Sequence, residues 1–325
     1  MTSKSRDFLR RIHRNGPAVA LRALRARRRS EVGAISLEGT APQMKWPSTP
    51  VRSIKPRRGW TLGELREFWE FRDLLIRFAA RDVTLRYRQT LLGISWVVLQ
   101  PLLTSAIFTL VFGRIAGLKS AGVPYFVFAF AGQVAWNAFN TILTRASSTL
   151  VVNQGLVSKI YFPRLLLPVS VMFAALIDAS VALGMMLVLL FAYGIPLTWA
   201  FFTFPVWLLL VIVVAEGVGT MACGFMVRYR DVQFVMPVLI QLLLYATPVA
   251  YGLAAVPHGL KGILIWLKLN PLTGLFEGVR WSLLGPSHVH LSIPLSLYSA
   301  GSSLVIAIIG LLVFARMERN FADVL

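Results

Sequence analysis

Residues Leu165 to Ala215 read LLLPVSVMFAALIDASVALGMMLVLLFAYGIPLTWAFFTFPVWLLLVIVVA, and Asp178 is the only charged side chain in the run. The hydrocarbon core of a bilayer, ~30 Å thick, is crossed by about 20 helical residues. The run is therefore too long for one crossing and too apolar for a water-facing domain. Gly194-Ile195-Pro196 supplies the break. Two spans result, Leu165–Tyr193 and Phe202–Val227, the second carrying Glu216.

Outward from this pair the same test finds more spans. Gln89–Gly113 and Ser120–Thr144 contain no charge, which predicts a first span at Leu92–Phe112 and a second at Val123–Leu143. Beyond the pair, a fifth span falls at Val232–Leu253 and a sixth at Pro294–Ala315. The expected fold is an all-α polytopic membrane protein with six transmembrane helices. Between spans five and six, Pro257–Gly285 mixes apolar residues with Lys261, Lys268, Asn270-Pro271, Glu277 and Arg280. It is too charged to face lipid and too apolar for a free loop. A pair of re-entrant outer helices fits it best, because broken backbone at membrane depth must be covered by protein or water. A seventh span is the alternative.

Composition agrees. Of 325 residues 56% are hydrophobic and 14% charged, which argues against a soluble enzyme or a disordered chain. Lys and Arg nevertheless outnumber Asp and Glu 33 to 14, and residues 1–90 hold 21 of the basic and 8 of the acidic ones. Three regions follow: a basic extension and linker at 1–59, an amphipathic interfacial helix at 60–90 and the membrane domain at 91–325. The extension shows no signal-peptide core among its arginines, so it is expected to stay in the cytoplasm. Anionic lipid headgroups explain its charge more simply than nucleic acid does. With this head inside, 28 basic residues fall on the cytoplasmic side and 5 outside. Both termini are then cytoplasmic and the spans even in number.

Thr61-Leu-Gly-Glu64 has the spacing of a helix capping box. After it, Trp69, Arg72, Arg81, Arg86 and Arg88 mark a helix lying at the inner membrane surface. Two readings are open for that helix, an anchor or a lever leading into span one, and amphipathicity alone favours the anchor.

No Gly-x-x-x-x-Gly-Lys-[Ser/Thr] loop is present, so the chain has no such means of holding ATP phosphates. No nucleophile–base set is evident. The single cysteine, Cys223, and the pair His288-x-His290 give no convincing metal site. Asp178 and Glu216, expensive inside a bilayer, read as structural polar contacts, a proton relay or substrate ligands. The lack of a basic partner in the same span favours the structural reading. Polar and aromatic residues also recur on helical faces: Trp96, Gln100 and Thr104 in span one; Phe234, Gln241 and Tyr245 in span five; Gln133, Trp136, Asn137 and Asn140 in span two. Such faces avoid lipid. They serve helix packing or line a pathway, and aromatics with amides would suit sugars.

Four segments together carry a family resemblance. They are Tyr87-Arg-Gln-Thr-Leu-Leu-Gly-Ile-Ser-Trp96 with Leu99-Gln-Pro-Leu102; Asn153-Gln-Gly-Leu156-Val-Ser-Lys159-Ile-Tyr-Phe162-Pro-Arg164; Arg228-Tyr-Arg230-Asp231; and Asn270-Pro271 with Arg280. In this order they resemble the permeases of type-2 ATP-binding-cassette exporters, in the branch moving O-antigen, capsule and teichoic acid.

The resemblance implies that Trp69, Arg72, Arg81, Arg86 and Arg88 belong to a gate helix. Asn153, Leu156, Lys159, Phe162 and Arg164, with Arg230 and Asp231, would contact a partner ATPase. Trp96, Gln100, Thr104, Phe234, Gln241 and Tyr245 would line the channel. It implies a plasma-membrane homodimer with two ATPase subunits, a lipid-linked glycan as cargo, no nucleic acid, and no cofactor on this chain, ATP and magnesium belonging to the ATPase. A drug or small amphiphile is the alternative cargo. An ion-coupled secondary transporter and a membrane-embedded transferase are the other classes. The extension at 1–59 departs from the family pattern.

Overall fold

The computed structural model describes residues 69–87, 95–256, 261–318 and Phe321, and among these every regular element is helical. The basic extension, the capping box at Thr61–Glu64 and Arg88 lie outside the described residues, as does the side chain of Arg86.

The elements are α1 (Arg72–Tyr87), α2 (Ser95–Phe108, continued by a π-helical turn, Thr109–Ile115), α3 (Tyr125–Val152), α4 (Gln154–Val157), α5 (Leu166–Ala192), α6 (Phe204–Arg228), α7 (Val232–Ala246), α8 (Lys261–Leu269), α9 (Pro271–Leu284) and α10 (Ile293–Glu318). Five helical segments are long and apolar enough to cross a membrane: 95–115, α3, α5, Trp199–Arg228 and α10. At 1.5 Å per residue α3 spans about 42 Å.

Helix α3 is the centre. Ala129, Ala131, Ala135, Ala138 and Ala146 are buried along it, small enough to let α5 and α6 approach closely. α6 in turn crosses α10 with Gly217 against Ala307 and Gly310. The break between α5 and α6 falls where Gly194-Ile195-Pro196 predicts it. Gly194 adopts a left-handed φ of 67°. The amide of Ile195 donates to the Leu190 carbonyl (2.9 Å) and that of Gly194 to the Phe191 carbonyl (3.2 Å). This pair of bonds is a Schellman cap, satisfying carbonyls that a helix end leaves open.

The expected fifth span is corrected. A helix over Val232–Leu253 was predicted, but α7 has 15 residues and stops at Ala246. Its length of about 22 Å falls short of the hydrocarbon core. The cause is local: Thr247 precedes Pro248, the proline ring disfavours helical backbone in the residue before it, and Thr247 is extended (φ −110°, ψ 139°). Residues 247–252 continue irregularly into a 3-10 turn at Leu253–Ala255, and the stretch is held by side chains of α9 and its cap.

Candidate functional site

Two groups of side chains lie at opposite ends of α3. At its C-terminal end the chain turns at Asn153 into the single-turn α4 and runs through Lys159 to Arg164 before α5. Gln154, Gly155, Ser158, Lys159, Ile160 and Tyr161 are exposed. Both ends of this projection are fastened. Arg81 of α1 donates through Nη2 to Asn153 Oδ1 (3.1 Å) and to Asp82 Oδ1 (3.0 Å), and Asn153 Nδ2 donates to the Thr149 carbonyl (2.8 Å). Arg164 donates from Nη1 to the Glu318 carbonyl (2.8 Å) at the end of α10, with its guanidinium 5.7 Å from the Phe321 ring centre. A cation at a helix C-terminus complements the exposed carbonyls and the helix dipole.

Beneath the projection lies a second apolar core. Leu75 and Phe78 of α1 meet Phe162, Leu166 and Leu167, together with Phe314 and Phe321. The Phe78 and Phe162 rings stand edge to face, 5.5 Å apart. The periodicity that placed α1 at a surface is thus satisfied by protein on its Leu75–Phe78–Ala79 face, while Ile76 and Leu85 remain exposed. Trp69 is exposed, with Arg72 5.5 Å from its ring. Of the residues predicted to meet an ATPase, Lys159, Arg230 and Asp231 are exposed, whereas Phe162 is buried and Arg164 is turned toward α10. Leu156 is half-buried against the second core.

At the other end of α3 the arrangement centres on Arg280 of α9, which is 1% exposed. Its guanidinium donates to the carbonyls of Tyr251 (3.0 Å) and Val249, and lies 4.3 Å from the Phe128 ring centre. Gly132 leaves the space: a Cβ there would meet Val249 and the guanidinium. One turn before Arg280, Glu277 Oε1 accepts from the Leu253 amide (3.0 Å). Asn270 caps α9 by accepting from the Leu272 amide and also donates to Thr247 Oγ1 (3.0 Å) and the Ala246 carbonyl (3.2 Å). Tyr125 Oη donates to the Ala250 carbonyl (2.7 Å). Sequence reasoning noted Arg280 and Asn270 but not what they hold. The available signal was a charged pair inside an apolar helix, which demands buried partners.

Two of the aromatic and amide stripes lie on helices that flank α3, and the third lies on α3 itself, where Gln133 and Trp136 are buried and Asn137 and Asn140 half-buried. On α7, Phe234, Gln241 and Tyr245 are exposed, while Met236 and Ile240 on the opposite face are buried. On α2, Trp96 and Gln100 are exposed and Thr104, half-buried, donates to the Gln100 carbonyl. Among the described residues no group of three or more His, Cys, Asp or Glu could hold a metal ion.

The ABC-2 type transporter family model matches residues 74–284. The chain is 32% identical to the O-antigen export system permease protein RfbA of Myxococcus xanthus over 216 residues, covering 66% of this chain and 82% of that protein. It is 25% identical to the RfbA permease of Klebsiella pneumoniae over 258 residues, 78% of this chain and 95% of that one. It is 25% identical to the polysialic acid transport protein KpsM of Escherichia coli over 253 residues, 74% and 91% of the two chains. The matched segment contains the projection after α3, all three stripes and Arg280. With these helices and this match, the chain belongs to the ABC-2 type transporter family and is a multi-pass membrane protein.

Proposed function

We propose that the chain is the channel-forming subunit of an ATP-driven exporter that moves a lipid-linked polysaccharide or polyol-phosphate polymer across the plasma membrane. Two copies form the path, and two separate ATPase subunits drive it. The observation that carries this reading is the projection between Asn153 and Arg164. It is short, exposed at Lys159, Ile160 and Tyr161, and fastened at one end to α1 and at the other to α10. A partner pressing on it would move both helices at once. The relatives, O-antigen export permeases and a polysialic acid transport protein, supply the cargo class.

Five long helices and the short α7 make six crossings in this reading, with both termini cytoplasmic. Residues 247–253 complete the passage that α7 begins. α1 acts as the gate helix, α8 and α9 cap the outer mouth, and the exposed faces of α2 and α7 line the path. The chain performs no covalent chemistry.

The test is co-purification with the ATPase and export into vesicles. Lys159→Glu with Tyr161→Glu reverses charge and removes an exposed aromatic without touching the second core. The double variant is expected to fold and to lose the ATPase. Retention of the ATPase by the folded double variant would overturn the assignment. Export driven by a pH or voltage difference alone, without ATP, would overturn the mechanism.

A further inference from the structure

Helix α10 is fastened near both ends to parts of the chain that lie far from each other. At its C-terminal end the Glu318 carbonyl accepts from Arg164 Nη1 (2.8 Å), and Glu318 Oε1 accepts from the Arg164 amide (3.4 Å). Just beyond, Phe321 is 2% exposed and stands edge to face with Phe314, their ring centres 5.8 Å apart. This end is thereby fixed to the projection after α3. Near the other end Tyr298 Oη donates to the carbonyl of Leu269 (2.8 Å), the last residue of α8. The neighbouring Ser299 packs on Gly274 of α9, where a Cβ would collide with its hydroxyl. This end is fixed to the turn between α8 and α9.

Between the two, α10 crosses α6 with no side chain in the way. A Cβ on Gly310 would overlap the Gly217 carbonyl, and one on Gly217 would meet the backbone of Ala307. Backbone against backbone is a hard contact. Toward the C-terminus the packing is softer: Gly224 meets the side chain of Met317, and an unbranched thioether repacks readily. Leu304, Val305, Ile308, Ile309 and Leu312 are exposed, which leaves α10 room to tilt on that side.

We propose that α10 is a lever that turns on the Gly217–Gly310 crossing and carries movement of the projection to the turn between α8 and α9. The inference rests on the transport reading above and adds how the two ends of the path communicate. α10 runs unbroken from Ile293 to Glu318, so it tilts as one body. Counted from Gly310, the arms to Glu318 and to Tyr298 are about 12 and 18 Å at 1.5 Å per residue. A sideways push at the projection therefore moves the far end the opposite way, by about half as much again. Sliding along the axis is disfavoured, because it would bring a Cβ onto the Gly217 carbonyl that only glycine clears, whereas tilting keeps Gly310 at the contact. Asn270, next after Leu269, bonds Thr247 and the Ala246 carbonyl, so the movement arrives where the stretch after α7 is held. Tyr298 and Phe321 are positioning residues, one fastening each arm.

The experiment uses the full chain with its ATPase in nanodiscs. Lys268, exposed beside Leu269, is replaced by cysteine and given a trifluoromethyl label, the native Cys223 being buried. Fluorine NMR follows the label with and without adenylyl imidodiphosphate, which occupies the ATPase without turnover. The labelled chain is expected to show a second resonance when nucleotide is bound. Tyr298→Phe removes one hydroxyl from an exposed ring. It should leave ATPase binding, ATP hydrolysis and the melting temperature unchanged and lower the ratio of second to first resonance about fivefold, the net worth of one hydrogen bond. Gly310→Ala, which takes away the close crossing, should lower it too; where that variant does not assemble, Tyr298→Phe decides. An unchanged ratio in either variant that still hydrolyses ATP overturns the proposal, and so does the absence of a second resonance from the labelled chain without these substitutions. Loss of hydrolysis together with the resonance in Tyr298→Phe makes Tyr298 a merely structural residue and overturns it as well. Failure of the labelled chain to hold the ATPase sinks the transport reading instead.

Discussion

Both ends of α3 use arginine to hold a connecting stretch of chain between longer helices, but they use it differently. At the N-terminal end Arg280 is buried, stacked on Phe128 and bonded to two carbonyls. At the C-terminal end Arg81 and Arg164 are half-buried and hold the projection through an amide oxygen and a helix-end carbonyl. A charge-assisted bond in a dry site is strong, and its loss strands two carbonyls. The same bond beside water is easily exchanged for hydration. The first end is built to stay shut until something large moves. In the proposed exporter the second is the end that yields to a partner.

The sharpest way to break this contrast is Arg280→Ala. We expect a stability loss of roughly 3–5 kcal/mol, seen as a fall in the melting temperature of the detergent-solubilised protein, and no rescue by Lys, which lacks the planar fork. An unchanged melting temperature would show that the two ends do not differ in kind. Next comes Phe162→Ala, which opens a cavity under Phe78 and should cost about 3 kcal/mol in the same measurement. If it removes the ATPase without loss of stability, Phe162 serves docking rather than packing. Gly132→Val forces a side chain against Arg280 and should cost roughly 1–3 kcal/mol. Last, a double-mutant cycle of Arg81→Ala and Asn153→Ala should give a coupling energy of about 0.5–1.5 kcal/mol. Those variants should retain ATP hydrolysis while export falls. A coupling near zero would remove α1 from the proposed transmission.

Most long helices were legible from apolar runs: α5 and α6 begin and end within a few residues of the predicted spans, because length and hydropathy decide them, whereas α3 runs on through Arg145 to Val152, past its predicted end at Leu143. The Gly194 break was legible because its chemistry is local. The fifth span was misjudged because residues 247–253 are apolar enough to pass a hydropathy test, while Pro248 and the side chains of Asn270, Glu277 and Arg280 decide their shape. Those partners lie more than twenty residues away in sequence. For the same reason Arg164 read as a partner contact. Its bond to Glu318 joins residues 154 positions apart, which no local pattern reports. The stripes on α2 and α7 could be found from spacing, but spacing does not tell a lipid face from a path.

Residues 246–253 have one further consequence. Their carbonyls and amide are gripped by Asn270, Glu277 and Arg280, all on α9 or its cap. Sliding the strand cannot undo these grips singly, whereas a small tilt of α9 would release them together. In the proposed exporter, where α9 caps the outer mouth, this end would act as a two-position latch and not as a graded valve, so a polymer crossing there would meet a doorway either closed or fully open.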